Sequence, residues 1–167
     1  GAGLGAMAIW AKQAAPDVPY TCVEANPGMW PVIRKNFAVN GCNATLIEGM
    51  AALEDGEADF HISPDFWSSS SHVPMQGGHS IRQKAIDVNR LIREVDPTIL
   101  TIDIEGGEID LIPHLEIPNV RRLIVELHPS ISSPTQMSEL IHMILNSGFE
   151  IDLTEPNRSV YIFNRSA

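Results

Sequence analysis

The chain has 167 residues, 44% hydrophobic and 19% charged, a composition that excludes a disordered polypeptide and supports one domain burying roughly two-thirds of its unfolded surface. Acidic residues number 21 against 11 basic, for a net charge of −10, and the longest basic runs are Arg34-Lys35 and Arg121-Arg122. That balance argues against nucleic acid or an anionic membrane surface as a partner, and no apolar run approaches the ~18 residues of a membrane span.

The chain opens on Gly1-Ala2-Gly3-Leu4-Gly5-Ala6 and runs directly into a helix-forming stretch over residues 4–15. Glycines let a backbone turn tightly and approach a ligand without an intervening Cβ, and the following helix aims free N–H groups into the turn. Residues 19–25 read as a strand that carries Glu24, a carboxylate placed to accept hydrogen bonds from ribose hydroxyls. Two cofactor patterns fit this opening. Gly1-x-Gly3-x-x-Ala6 matches dinucleotide binding and Gly1-x-Gly3-x-Gly5 matches S-adenosylmethionine binding. A turn of this type ordinarily follows a buried strand, so the reading is of an N-terminally truncated domain. The sheet position left open predicts a homodimer by strand exchange.

Asn26-Pro27 or Pro31 starts a second helix, with Asn26 as N-cap. Ile33 and Phe37 lie on its apolar face, and Asn40-Gly41 ends it. Trp10 and Trp30, both on helices, read as packing residues. Residues 43–48 form the next strand and 57–63 an antiparallel or edge strand. Trp67 and the run Ser68-Ser69-Ser70-Ser71 lie in a long loop over residues 64–80, read as a lid over a substrate or as a plain insertion. A short extended piece and a helix fill residues 81–95, and residues 98–104 form a β-branched strand of the two-sided, buried kind. A helix through about His114, a strand over 120–127, a helix over 134–147 and two strands at 149–153 and 159–163 complete the chain. Cys22 and Cys42 give neither a disulfide framework nor zinc spacing, and Cys22 reads as a core residue in a cytoplasmic setting.

This alternation specifies an α/β, Rossmann-like doubly wound fold, with a mostly parallel sheet and an antiparallel C-terminal strand, in a single domain over residues 1–167. Several stretches together resemble the FkbM-type methyltransferases. They are Gly1–Trp10, Val23-Glu24-Ala25-Asn26-Pro27, Pro31-Val32-Ile33-Arg34-Lys35-Asn36, Ile102-Asp103-Ile104-Glu105-Gly106-Gly107-Glu108 and Ile124-Val125-Glu126-Leu127-His128-Pro129. The resemblance implies a class I, S-adenosylmethionine-dependent enzyme that methylates a hydroxyl of a small molecule or sugar. Two other readings stay open: a non-catalytic Rossmann-like binding module and an NAD-dependent oxidoreductase.

On the methyltransferase reading Gly1, Gly3 and Gly5 hold the amino-acid end of the cofactor and Glu24 takes the ribose hydroxyls. Asn26 lines the adenosine pocket, and Met50 and Ala51 sit where the family's adenine ring packs. An alcohol needs a general base or a metal that lowers its pKa. Asp103, Glu126 and His128 end neighbouring strands at the edge where open α/β sheets bind ligands, and they are the catalytic candidates. A carboxylate–histidine metal site is the other use of that set, but two ligands and a carboxylate of unspecified geometry do not establish one, so no metal is assigned. The bland alternatives are that Asp103 and Glu105 cap the following helix and that His128 only ends its strand. Glu105 and Glu108 read as structural.

Overall fold

The computed structural model describes residues 1–64, 77–154 and 159–165. The chain forms two compact units, Gly1–Asp87 and Val88–Ala167. Trp67 and the serine run, with the lid reading attached to them, lie outside the described residues.

The first unit runs α1 (Ala6–Ala14), β1 (Thr21–Glu24), α2 (Trp30–Val39), β2 (Thr45–Glu48), β3 (Met50–Ala52), β4 (Gly56–Ile62) and β5 (His79–Asp87). Strands β1 and β2 pair in parallel, with Glu24 opposite Glu48. A second sheet has the order β3-β5-β4, in which β3 is parallel and β4 antiparallel to β5. The strand β3 and the full nine-residue length of β5 were not evident in the sequence, where residues 81–95 read as a short extended piece and a helix.

Helix α2 begins at Trp30 with Pro31 in its first turn, where a missing N–H costs nothing. Asn26 is therefore not its N-cap. The side chain of Asn26 instead accepts from the Gly28 amide at 3.0 Å, closing a local turn ahead of the helix, and Met29 occupies the cap position. Ile33 and Phe37, one turn apart, point inward and pack with Ala8 and Met29 into the core of this unit. Trp10 departs from its packing role: it is 66% exposed, because α1 turns Ala8 rather than Trp10 toward that core. Cys22 packs at the edge of the same cluster, and burial pushes its thiol up to about 11, which fits a core residue and not a nucleophile.

Gly5 is fixed by this packing. It has φ 76°, and a Cβ there would stand 2.7 Å from Phe37 Cε1 and 3.2 Å from Ile33 Cγ2. Gly3 shares the left-handed conformation at φ 53°, yet nothing lies within 4 Å of its Cβ position. Gly5→Ala is expected to cost about 3 kcal/mol, from backbone strain plus overpacking, and Gly3→Ala only about 1 kcal/mol. Urea denaturation of the two variants measures the difference, and equal losses would contradict this packing.

The second unit runs α3 (Val88–Val95), β6 (Ile99–Ile102), α4 (Glu108–Leu111) continuing as a 3-10 turn through His114, β7 (Arg122–Glu126), α5 (Pro134–Asn146), β8 (Glu150–Asp152) and β9 (Val160–Asn164). Its sheet has the order β6-β7-β9-β8. Strand β9 inserts antiparallel between β7 and β8, so the last strand of the chain lies inside the sheet and β8 at its edge. Leu123, Val125 and Phe163 are buried completely or nearly so, each contributing about 1.5–3 kcal/mol of apolar burial. Strand β6 departs from the two-sided burial its composition suggests. It is an edge strand of this sheet, and Ile99 is 60% exposed while Ile102 is buried. Helix α5 starts on a reciprocal box in which the Ser133 hydroxyl accepts from the Gln136 amide and the Gln136 side chain accepts from the Ser133 amide.

Candidate functional site

In the first unit the glycine turn is tied down by Glu24. This residue ends β1 and is 7% exposed. Its Oε2 accepts from the amides of Ala2 at 2.9 Å and Gly3 at 3.0 Å, and its Oε1 accepts from the Asn26 amide at 2.8 Å. Its backbone carbonyl accepts from the Trp30 indole at 2.9 Å and from the Gly49 amide at 3.0 Å. A carboxylate offers about four lone-pair positions, so Oε2 is saturated and Oε1 keeps one for a further donor. Glu24 is thus first a clasp for the turn. Its Oε1 keeps an acceptor position beside the Asn26 amide for a further donor such as a ribose hydroxyl.

Gly1, Gly3 and Gly5 lie on that turn; Gly3 is open to an approaching ligand, while Gly5 faces the core. Asn26 is 5% exposed beside Glu24. Met50 and Ala51 are half-buried in β3, paired with Ala85 and Ile86 of β5. The open Gly3 position and the remaining acceptor on Glu24 make these residues compatible with the amino-acid and ribose parts of S-adenosylmethionine.

In the second unit, Asp103 follows β6, Glu126 ends β7 and His128 lies two residues beyond it. The strands pair in parallel through Ile102↔Val125, so Asp103 and Glu126 come next on the same edge. One ligand atom from each of Asp103, Glu126 and His128 lies within 4.8 Å of the other two. His128 Nε2 is 3.7 Å from Asp103 Oδ1 and 3.4 Å from Glu105 Oε2, while its Nδ1 is 3.4 Å from Glu108 Oε1. Ser159 donates its hydroxyl to Glu126 Oε1 at 3.1 Å.

The loop from β6 to α4 makes this convergence. Glu108, at the first residue of α4 and 1% exposed, reaches back to accept from the amides of Ile104 and Gly106, both at 2.8 Å. Glu105 sits in the left-handed region at φ 53°, a strain of about 1 kcal/mol for a residue with a Cβ. No side chain caps α4, so Asp103 and Glu105 are not capping residues. Glu105 and Glu108, read from sequence as structural, both face the imidazole, and Glu108 also holds the turn.

Charge in this cluster is strongly coupled. The His128 pKa is raised to about 9, chiefly by the facing Glu108 carboxylate, with Glu105 and Asp103 adding to it against the cost of burial. Burial pushes the Glu108 carboxyl up, but the His128 ring and the Ile104 amide outweigh it and hold it below the usual range. Asp103 is raised, first by burial and then by Glu126. Glu105 is raised by burial, with Asp103 contributing.

Among solved structures the chain is similar to the precorrin-6y C5,15-methyltransferase of Geobacter metallireducens, with a TM-score of 0.56 and 16% identity over 99% of this chain and 76% of that one. That likeness shows a class I methyltransferase fold. No curated protein sequence matches the chain. Residues 16–151 match the methyltransferase FkbM domain, and the chain belongs to that family of S-adenosylmethionine-dependent methyltransferases. Among the described residues, no helix is long and apolar enough to cross a membrane.

Proposed function

We propose that the chain, as one domain over residues 1–167, methylates a hydroxyl of a small molecule or sugar, using S-adenosylmethionine. The observation that carries this reading is the convergence of Asp103, Glu126 and His128 at the end of two parallel strands. S-adenosylmethionine, when bound, supplies a methyl group on a positively charged sulfur. The chain's own residues must position the acceptor oxygen and take its proton. Asp103 suits the proton: its side chain is 47% exposed, within reach of a substrate, and its raised pKa makes it a stronger base than an ordinary carboxylate. His128, whose Nε2 faces Asp103, and Glu126, held by Ser159, orient the acceptor. In the first unit Gly1, Gly3 and Gly5 hold the amino-acid end of the cofactor, Glu24 one ribose hydroxyl and Asn26 the adenosine, while Met50 and Ala51 pack on the adenine.

Calorimetric titration with adenosylhomocysteine tests the donor half of this reading, and micromolar binding is expected. Methyl transfer from labelled S-adenosylmethionine to a panel of hydroxyl, amine and carboxylate compounds tests the acceptor half. Product restricted to amines or carboxylates would overturn the hydroxyl assignment.

A further inference from the structure

The second unit gathers several carboxylates around one imidazole. Asp103, Glu105, Glu108 and Glu126 are four carboxylates, and the first three approach His128 to 3.7, 3.4 and 3.4 Å. Among the described residues, no lysine or arginine forms an ion pair with Asp103 or Glu126. The ring itself is oriented. His128 is 13% exposed, and its Nδ1 is fully buried without a hydrogen bond, turned toward Glu108. Its Nε2 faces Asp103 and Glu105. An imidazole that ligates a metal through one nitrogen while a buried carboxylate faces the other is the usual outer support of a histidine ligand.

The spacing also suits an ion. With metal–ligand bonds of about 2.1 Å, adjacent donors in an octahedron lie roughly 3 Å apart and opposite donors roughly 4.2 Å apart. Ligand atoms of Asp103, Glu126 and His128 all within 4.8 Å of one another need only small rotations to reach that arrangement. Two hard carboxylates and one imidazole favour an oxygen-preferring ion over the thiolate-rich sites of structural zinc.

We propose that Asp103, Glu126 and the Nε2 of His128 bind one divalent cation of the Mg2+/Mn2+ class, with Glu108 fixing the ring from behind. Three protein ligands leave positions on an octahedral ion for water or for an acceptor hydroxyl. The proposed methyl transfer is what the cation would serve, so its catalytic use rests on that reading; the binding itself does not.

The test is an electron paramagnetic resonance titration of the full chain with Mn2+, following loss of the free-ion signal. One site per chain is expected, in the micromolar range. Asp103→Asn should weaken binding about 10-fold to 100-fold, and Glu108→Gln, which touches no ion, by a factor of about 10. Glu57→Gln, in the exposed group with Asp59 and Arg82, should change nothing. The Asp103 side chain is 47% exposed, so its near-isosteric variant should stay folded, which circular dichroism checks. Binding that is absent at millimolar Mn2+, or unaffected by Asp103→Asn, overturns the site. Adenosylhomocysteine binding measured on the same samples separates the two readings, because loss of the cation site leaves donor binding in the first unit in place.

Discussion

Glu24→Gln is expected to weaken adenosylhomocysteine binding at least about tenfold and to lower stability by about 2 kcal/mol, although it is nearly isosteric. The reason lies in the donors around the carboxylate. Ala2 and Gly3 both donate to Oε2, and Asn26 donates to Oε1. A glutamine amide has one acceptor oxygen and one donor nitrogen. If its oxygen keeps Ala2 and Gly3, the NH2 group meets the Asn26 amide donor to donor. If it flips, both turn amides lose their acceptor. No orientation satisfies all three.

Glu24→Ala removes every acceptor and should abolish measurable binding, because the turn that approaches the cofactor loses its anchor. Calorimetry with adenosylhomocysteine and urea denaturation, run on both variants, separate the two effects. A glutamine variant as stable as wild type but unable to bind would assign Glu24 to the ribose alone. Wild-type binding by that variant would remove Glu24 from the cofactor site.

Much of the architecture was legible because it is written in local signals. The helix over 134–147, closed by Gly148, forms as α5 within one residue at its C-terminal end. The strand that ends at Glu24 and the strand at 43–48 are short apolar runs bounded by turn residues, and both form. What the sequence hid depends on pairing between distant segments. β3 is three residues long with no alternation of its own, and it exists because β5 offers it an edge. The exposure of β6 follows from its place at the rim of the sheet, which its composition cannot report. The candidate site divides in the same way. Asp103, Glu126 and His128 could be picked as strand-end residues, but their meeting depends on the register of β6 against β7. Glu105 was passed over because nothing in a sequence announces that a non-glycine residue adopts φ 53° and so turns its carboxylate onto His128. Glu24 reads in the sequence as a ligand-type carboxylate, and its role as a clasp is invisible without the three amides that face it.

The pairing of His128 with Glu108 should make the stability of the chain depend on pH with a definite sign. His128 titrates near 9 in the folded chain against an ordinary 6.5, so the fold binds this proton more tightly than the unfolded chain does. Its contribution is fully present below pH 6.5 and is lost as pH rises toward 9. The Glu108 carboxyl is held below 4.5, so its contribution is present above that value and is lost as pH falls through the folded pKa. In metal-free buffer, stability from urea midpoints should fall between pH 6.5 and 9 by on the order of 2 kcal/mol more in wild type than in His128→Gln. Above pH 9 both chains should lose further stability in parallel, because burial raises the Cys22 thiol to about 11 and the unfolded chain gives up that proton first. Nuclear magnetic resonance of the His128 ring assigns the cause. In Glu108→Gln the titration midpoint should drop by at least about one unit toward 6.5, because the carboxylate facing Nδ1 is its main support. A midpoint that stays near 9 in that variant would transfer the role to Asp103 and Glu105, which face the opposite nitrogen.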